Sequence, residues 1–357
     1  MILYTHERSF GCRIREYLYR GLRTVTMENE LLRVSFLADK GSDIFEFIYK
    51  PKDIDFLWHS PWGVRNPAHY VATSHTPGSA FLDFYEGGWQ DCFPTGGNPC
   101  EYQGQSFGAH GELPTLPWDY SILEDSPERI SIRFRVRTCR TPFFVEKEVS
   151  LERGVPTLFI SEEITNEGRI DLPVMWGQHP ALGAPFIEAG CRIDLPAARI
   201  QCSQLSPVTR FAEGSSDWPH AVGRTGESLD LREVPGIEAD TTDTLKLSNL
   251  AEGWYAVRNE SLGVGFGMSW PLEVFPALWF WQAYGGAYTA PWYGRTYLIA
   301  LEPFSTAQLT VADAIRDGSA RLIRSGETLK ASYVAVGFEG TTPVSSIAPD
   351  GHVRRSS

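Results

Sequence analysis

The 357-residue chain has no uninterrupted apolar run close to the ~20 residues that a membrane-spanning helix requires, and no run of five basic residues. With 32 Lys and Arg against 44 Asp and Glu, its formal net charge is −12. That balance argues against a nucleic-acid backbone or an anionic membrane as partner, because both are bound by a basic surface that releases counterions. The six cysteines (Cys12, Cys92, Cys100, Cys139, Cys191 and Cys202) lack the paired short spacings of a tetrahedral zinc site. They read as reduced thiols, and neither a metal nor a redox cofactor is expected. The segment from Met1 to Phe10 lacks the apolar stretch of a secretory signal. Together these absences point to a cytoplasmic protein acting on a small molecule. Also missing are a long helical period, a 20–50-residue repeat, and a Pro/Ser/Gly linker that would divide the chain.

What the chain does have is 33 Gly, 24 Pro, 11 Trp, 14 Tyr and 20 Phe. Aromatic residues suit a pleated surface, whereas Gly and Pro interrupt helices. Flat rings also suit the apolar face of a pyranose, although core packing is the alternative for any single Trp. Strict apolar–polar alternation marks Ile130 to Arg137 as a strand. Phe144 to Leu151 and Thr157 to Thr165 continue a meander that ends at Asn166-Glu167-Gly168. Further strands are expected at Leu31 to Leu37, Ile44 to Tyr49, Thr244 to Leu247, Trp254 to Arg258, Val264 to Ser269, Leu278 to Gln282, Tyr297 to Glu302, Ala307 to Val311 and Ala331 to Phe338. Ala312 to Ile323 is the best short helix, with Gly318 as its weak point. Glu213 to Gly226 reads as a polar surface loop. The expected architecture is all-β, a large antiparallel β-sandwich formed as one domain over residues 1–340, with a flexible tail over 341–357. An exposed sheet edge would suit a homodimer.

Three segments combine glycine, tryptophan and ionisable residues: Gly87 to Gly97 continuing to Glu112, Met175 to Pro180, and Trp279 to Glu302. Adjacent glycines let a backbone approach a ligand closely. His110 and His179, flanked by small or restricted neighbours, are placed to present an imidazole from a loop or strand end. Each suits acid–base work near neutrality, with a structural histidine as the other reading. Glu302 ends the apolar run Tyr297 to Leu301, where an apolar wall would raise its pKa; an ordinary strand-end charge is the alternative.

In order and spacing, HGELPTLPW at His110 to Trp118, MWGQHPALG at Met175 to Gly183 and YLIALEPFS at Tyr297 to Ser305 resemble the aldose 1-epimerase (galactose mutarotase-like) superfamily, over about Leu31 to Phe338. The resemblance implies a sugar cleft on one face of the sandwich and an enzyme that interconverts the anomers of a free or modified aldose, such as a uronate. It casts Glu302 as the base at the anomeric hydroxyl, His179 as the acid at the ring oxygen, and His110 as a hydrogen-bonding partner of that oxygen or a neighbouring hydroxyl. It allows two alternatives: proton transfer at carbon on a keto-sugar (epimerase, isomerase or lyase), and a non-catalytic carbohydrate-binding protein. The second motif departs from the family pattern, since His179 is followed by Pro180-Ala181-Leu182-Gly183 rather than by residues leading to an aromatic and Asn. The family's hydroxyl-binding Asp has no counterpart that the motifs locate. Lys40, Arg65, Gln90, Asp91, Gln282 and Arg295 are the candidate substrate contacts, and Trp89, Trp281 and Trp292 the candidate stacking faces.

Overall fold

The computed structural model describes residues 8–69, 79–203 and 206–356. Period-two alternation produces two large antiparallel sheets. One has twelve strands, eleven of them in the spatial order Arg13–Tyr19, Leu22–Glu28, Leu32–Leu37, Asp43–Tyr49, Trp89–Cys92, Gly177–Gly183, Tyr297–Phe304, Ala277–Tyr284, Thr241–Ser248, Arg199–Cys202 and Gly214–Asp217, with Ile54–Asp55 paired to Asp43–Tyr49. The other has eight, in the order Arg192–Asp194, Trp254–Asn259, Val264–Ser269, Thr328–Glu339, Thr157–Asn166, Phe143–Glu152, Arg129–Arg137 and Asp119–Asp125.

The inward faces of the two sheets share one apolar core. Phe36 meets Phe134 across it with ring centroids 5.2 Å apart, and Phe47 meets Phe266 edge-on at 5.4 Å. A polar cluster is embedded in the same layer. Lys147 Nζ lies 2.6 Å from Asp91 Oδ2 and donates to the Ser42 carbonyl at 3.1 Å. Nearby, Gln178 receives the Trp89 indole N–H at 2.7 Å and donates to Glu162 at 3.2 Å. Burial pushes Glu162 well above the usual carboxylate range, with the Asp91 charge pushing the same way. This cluster ties the strands Trp89–Cys92 and Gly177–Gly183 to the opposite sheet.

Three expectations need correction. Residues 307–310 form no strand; Thr310 caps a helix over Val311–Asp317 by accepting from the Asp313 N–H, and Gly318 ends that helix at φ +79°. The polar stretch from Glu213 to Gly226 contains two short strands, Gly214–Asp217 and His220–Val222. Within the stretch 341–357, expected as a flexible tail, Val344–Ile347 and Val353–Arg355 pair as a hairpin. Val344 and Ile347 are buried there against Trp254, Val336 and Phe338, so apolar burial fixes a segment whose Ser/Pro content suggests fraying.

Candidate active site

On the outer face of the twelve-stranded sheet, strand register alone assembles a row of polar groups. Gln90 pairs with His179, Glu302 with Trp279, Trp279 with Lys246, and Lys246 with Gln201. His179 and Glu302 stand abreast because the pairs Gly177 with Phe304 and Ala181 with Ala300 flank them in one register. Residues paired across adjacent antiparallel strands share a face, so six side chains from six strands line up. The alternate residues Gln178, Leu182, Leu301, Phe280 and Leu245 point the other way, into the layer between the sheets.

A cleft of about 510 Å³ opens over the centre of this row. Its floor is His179, Glu302, Trp279, Lys246 and Gln201, and its walls include Phe81, His110, Trp281, Trp292 and Leu309. His179 Nε2 is 3.7 Å from Glu302 Oε1, with the two residues only 3% and 2% exposed. Glu302 Oε2 and His179 Nδ1 have no hydrogen-bond partner among the described residues. Burial pushes Glu302 up to about 8, against a smaller opposing pull from the Lys246 cation. Burial likewise pushes His179 down to about 4.

His110 reaches the cleft by an unusual backbone route. Its φ of +61° lies in the left-handed region, and Gly111 follows at φ +81°. A Cβ on Gly111 would sit 2.1 Å from the Phe93 carbonyl oxygen, so the turn depends on that glycine. The His110 N–H donates to the Gly96 carbonyl at 2.7 Å, and Nδ1 lies 3.2 Å from Cys92 Sγ. The ring packs on Phe81 at 4.2 Å and edge-on to His179 at 4.8 Å. Burial pushes His110 well below the usual histidine range. His110 comes from a turn, as expected, whereas His179 does not sit at a strand end. His179 lies in the middle of a fully buried strand, and His110 is held beneath Phe81.

The other candidates divide. Trp281 and Trp292 line the cleft with centroids 5.5 Å apart. Trp89 and Asp91 point into the inter-sheet layer, and so does Gln282, which accepts from Arg210 at 2.7 Å. Gln90 stands beside His179 on the outer face, but its amide donates to the Gly87 carbonyl at 2.6 Å. Lys40 is buried in ion pairs with Asp43 and Glu86. Arg65 and Arg295 are exposed, each about 6 Å from the Trp62 ring, outside the residues that line the cleft. An outward-facing position in a strand does not reveal whether a loop covers it, and this separates these residues from the true lining.

Two groups went unrecognised in the sequence. Lys246 lies in the cleft with its Nζ 3.1 Å from the Trp279 ring centroid. Tyr85, delivered by the short helix Ser79–Phe84, packs edge-on to His179 at 5.5 Å, and its hydroxyl has no partner among the described residues. The alternation Thr244-Leu245-Lys246-Leu247 already sets Lys246 and Thr244 on one face; the missing information was that this face is covered. Among the described residues, no group of three or more His, Cys, Asp or Glu is arranged to hold a metal ion.

The paired sheets and the cleft on the outer face of the larger one define a galactose mutarotase-like β-sandwich. The chain is similar to a candidate aldose 1-epimerase from Klebsiella pneumoniae at 16% identity and a TM-score of 0.72, covering 92% of this chain and 83% of that one. It is also similar to a galactose mutarotase-like protein from Clostridium acetobutylicum at 13% identity and a TM-score of 0.61, covering 92% and 99%. A galactose mutarotase related enzyme from Lactobacillus acidophilus matches at 14% identity and a TM-score of 0.59, covering 93% and 100%. At these identities the likeness is one of fold. Within that fold, residues 19–334 match the model of a domain of unknown function, DUF4432, and the chain belongs to that family. No curated protein sequence matches it.

Proposed function

We propose that the protein is a carbohydrate isomerase of the aldose 1-epimerase type, which opens and recloses the ring of a free or modified aldose. The observation that carries this reading is the buried His179–Glu302 pair, 3.7 Å apart on the floor of an aromatic-walled cleft. Opening a hemiacetal requires a proton to leave the anomeric hydroxyl while another reaches the ring oxygen. Two groups that hold one proton between them supply both functions, each contributing roughly 10²–10⁴-fold.

Between the two groups that proton favours Glu302, since burial raises the carboxyl and lowers the imidazole. Its transfer to His179 produces the form in which Glu302 accepts from the anomeric hydroxyl and His179 donates to the ring oxygen. After rotation about the C1–C2 bond the same two groups work in reverse to close the other anomer. His110, held beside His179, is a hydrogen-bonding partner for the ring oxygen or an adjacent hydroxyl. Trp281 and Trp292 offer the flat apolar surfaces on which a pyranose face packs. A proton NMR exchange experiment on a panel of aldoses and uronates tests the reading. Faster α–β exchange is expected for one sugar class, and unchanged exchange across the panel would overturn it.

A further inference from the structure

Three buried lysines belong to the same sheet sandwich, and two of them are neutralised. Lys40 has Asp43 and Glu86, and Lys147 has Asp91. Lys246 is 7% exposed and has neither a hydrogen bond nor a carboxylate within ion-pair reach among the described residues. Its Nζ lies over the ring of Trp279, whose indole N–H is committed to the Thr306 carbonyl at 2.8 Å and whose ring stacks on Phe304 at 3.8 Å. The ammonium is therefore held on a rigid aromatic face, toward Glu302 and the open cleft. Burying a cation without a counter-charge is costly, and a site retains one where a ligand supplies the missing anion. Burial pulls Lys246 well below the usual lysine range, as an unpaired cation requires.

Among the described residues, the other ionisable groups lining the cleft are Glu302, His110 and His179, and no arginine lines it. A single lysine matches one negative charge. A phosphate monoester carries about −1.5 to −2 charges near neutrality, which a single lysine does not balance. We propose that Lys246 receives a monoanionic acid group of the carboxylate kind on the sugar, so that the cleft selects uronates over neutral hexoses. The proposal rests on reading the cleft as a sugar site, but not on turnover.

Binding is measured by quenching of tryptophan fluorescence with glucose, glucuronate and glucose 6-phosphate, and with the three corresponding galactose compounds. The proteins compared are the wild type, Lys246→Met and Lys246→Arg, with circular dichroism confirming that each is folded. For at least one sugar series, the wild type is expected to bind the uronate at least 30-fold more tightly than the hexose and the 6-phosphate. Lys246→Met is expected to erase that preference and Lys246→Arg to keep part of it. Uronates bound no better than hexoses, a preference unchanged in Lys246→Met, or no uronate bound at all would each overturn the proposal. Tighter binding of the 6-phosphate would do the same. Lys246-dependent uronate binding without faster anomer exchange would leave the proposal standing and remove the mutarotase reading. Faster exchange of neutral hexoses, unaffected by Lys246→Met, would do the reverse.

Discussion

A carboxyl and an imidazole buried side by side hold one proton between them, and the activity should follow that proton. With Glu302 raised to about 8 and His179 lowered to about 4, the pair carries a single proton across the interval between those values. The predicted kcat/KM is flat over that interval, falling above about pH 8 as the pair loses its proton and below about pH 4 as it gains a second. The same shifts act on stability. Glu302 rises from its ordinary 4.5, so its contribution is fully present below pH 4.5 and is lost as pH rises through 8. His179 falls from its ordinary 6.5, so its contribution is present above 6.5 and is lost as pH falls toward 4. Glu302→Gln removes the first term, so urea titrations should show this variant gaining stability relative to wild type as pH rises from 4.5 to about 8. In turnover, His179→Ala and Glu302→Gln are each expected to lose roughly 10²-fold or more, since each removes one half of the proton exchange. Initial rates of anomer exchange check this.

The strands that the sequence reveals best are those with one face in the core and one in solvent. Arg129–Arg137 alternates strictly, and it matches the expected Ile130 to Arg137 within a residue. Gly177–Gly183 carries His179 yet shows no alternation, because all seven of its residues are buried and its outer face lies beneath the cleft loops. Lys246 was hidden for the same reason, as a lysine on the outward face of a strand looks solvated until something covers it. The left-handed turn at His110 depends on Gly111 but is set by contacts with Phe93 and Gly96, which are distant in sequence. Gly177 provides an element-scale test. A Cβ there would lie 2.3 Å from the Phe304 ring, and Phe304 stacks on the Trp279 ring beneath Lys246. Gly177→Ala should therefore cost about 1–3 kcal/mol in denaturant titration, by overpacking.

At the scale of the molecule, the polar cluster between the sheets holds the cleft's supporting strands in place, and the closing hairpin covers the eight-stranded sheet around Trp254, Val336 and Phe338. Lys147 is the cation beside Asp91 and the strand that bears Glu162, so Lys147→Met should cost about 3–5 kcal/mol by leaving Asp91 buried and unpaired. Deleting residues 341–357 uncovers the Trp254, Val336 and Phe338 face and removes the burial of Val344 and Ile347. At about 1.5–3 kcal/mol for each buried aliphatic side chain, the truncated chain should lose roughly 3–6 kcal/mol in the same titration. The central claim, that this sandwich uses a buried carboxyl–imidazole pair to exchange anomers, is tested most directly by proton NMR in D2O. One sample reports α–β exchange and deuterium uptake at carbon together, for wild type and Glu302→Gln. Exchange accelerated by the wild type, lost in the variant and accompanied by no carbon-bound deuterium is the predicted result. Deuterium entering a carbon position, or acceleration that survives Glu302→Gln, would contradict it.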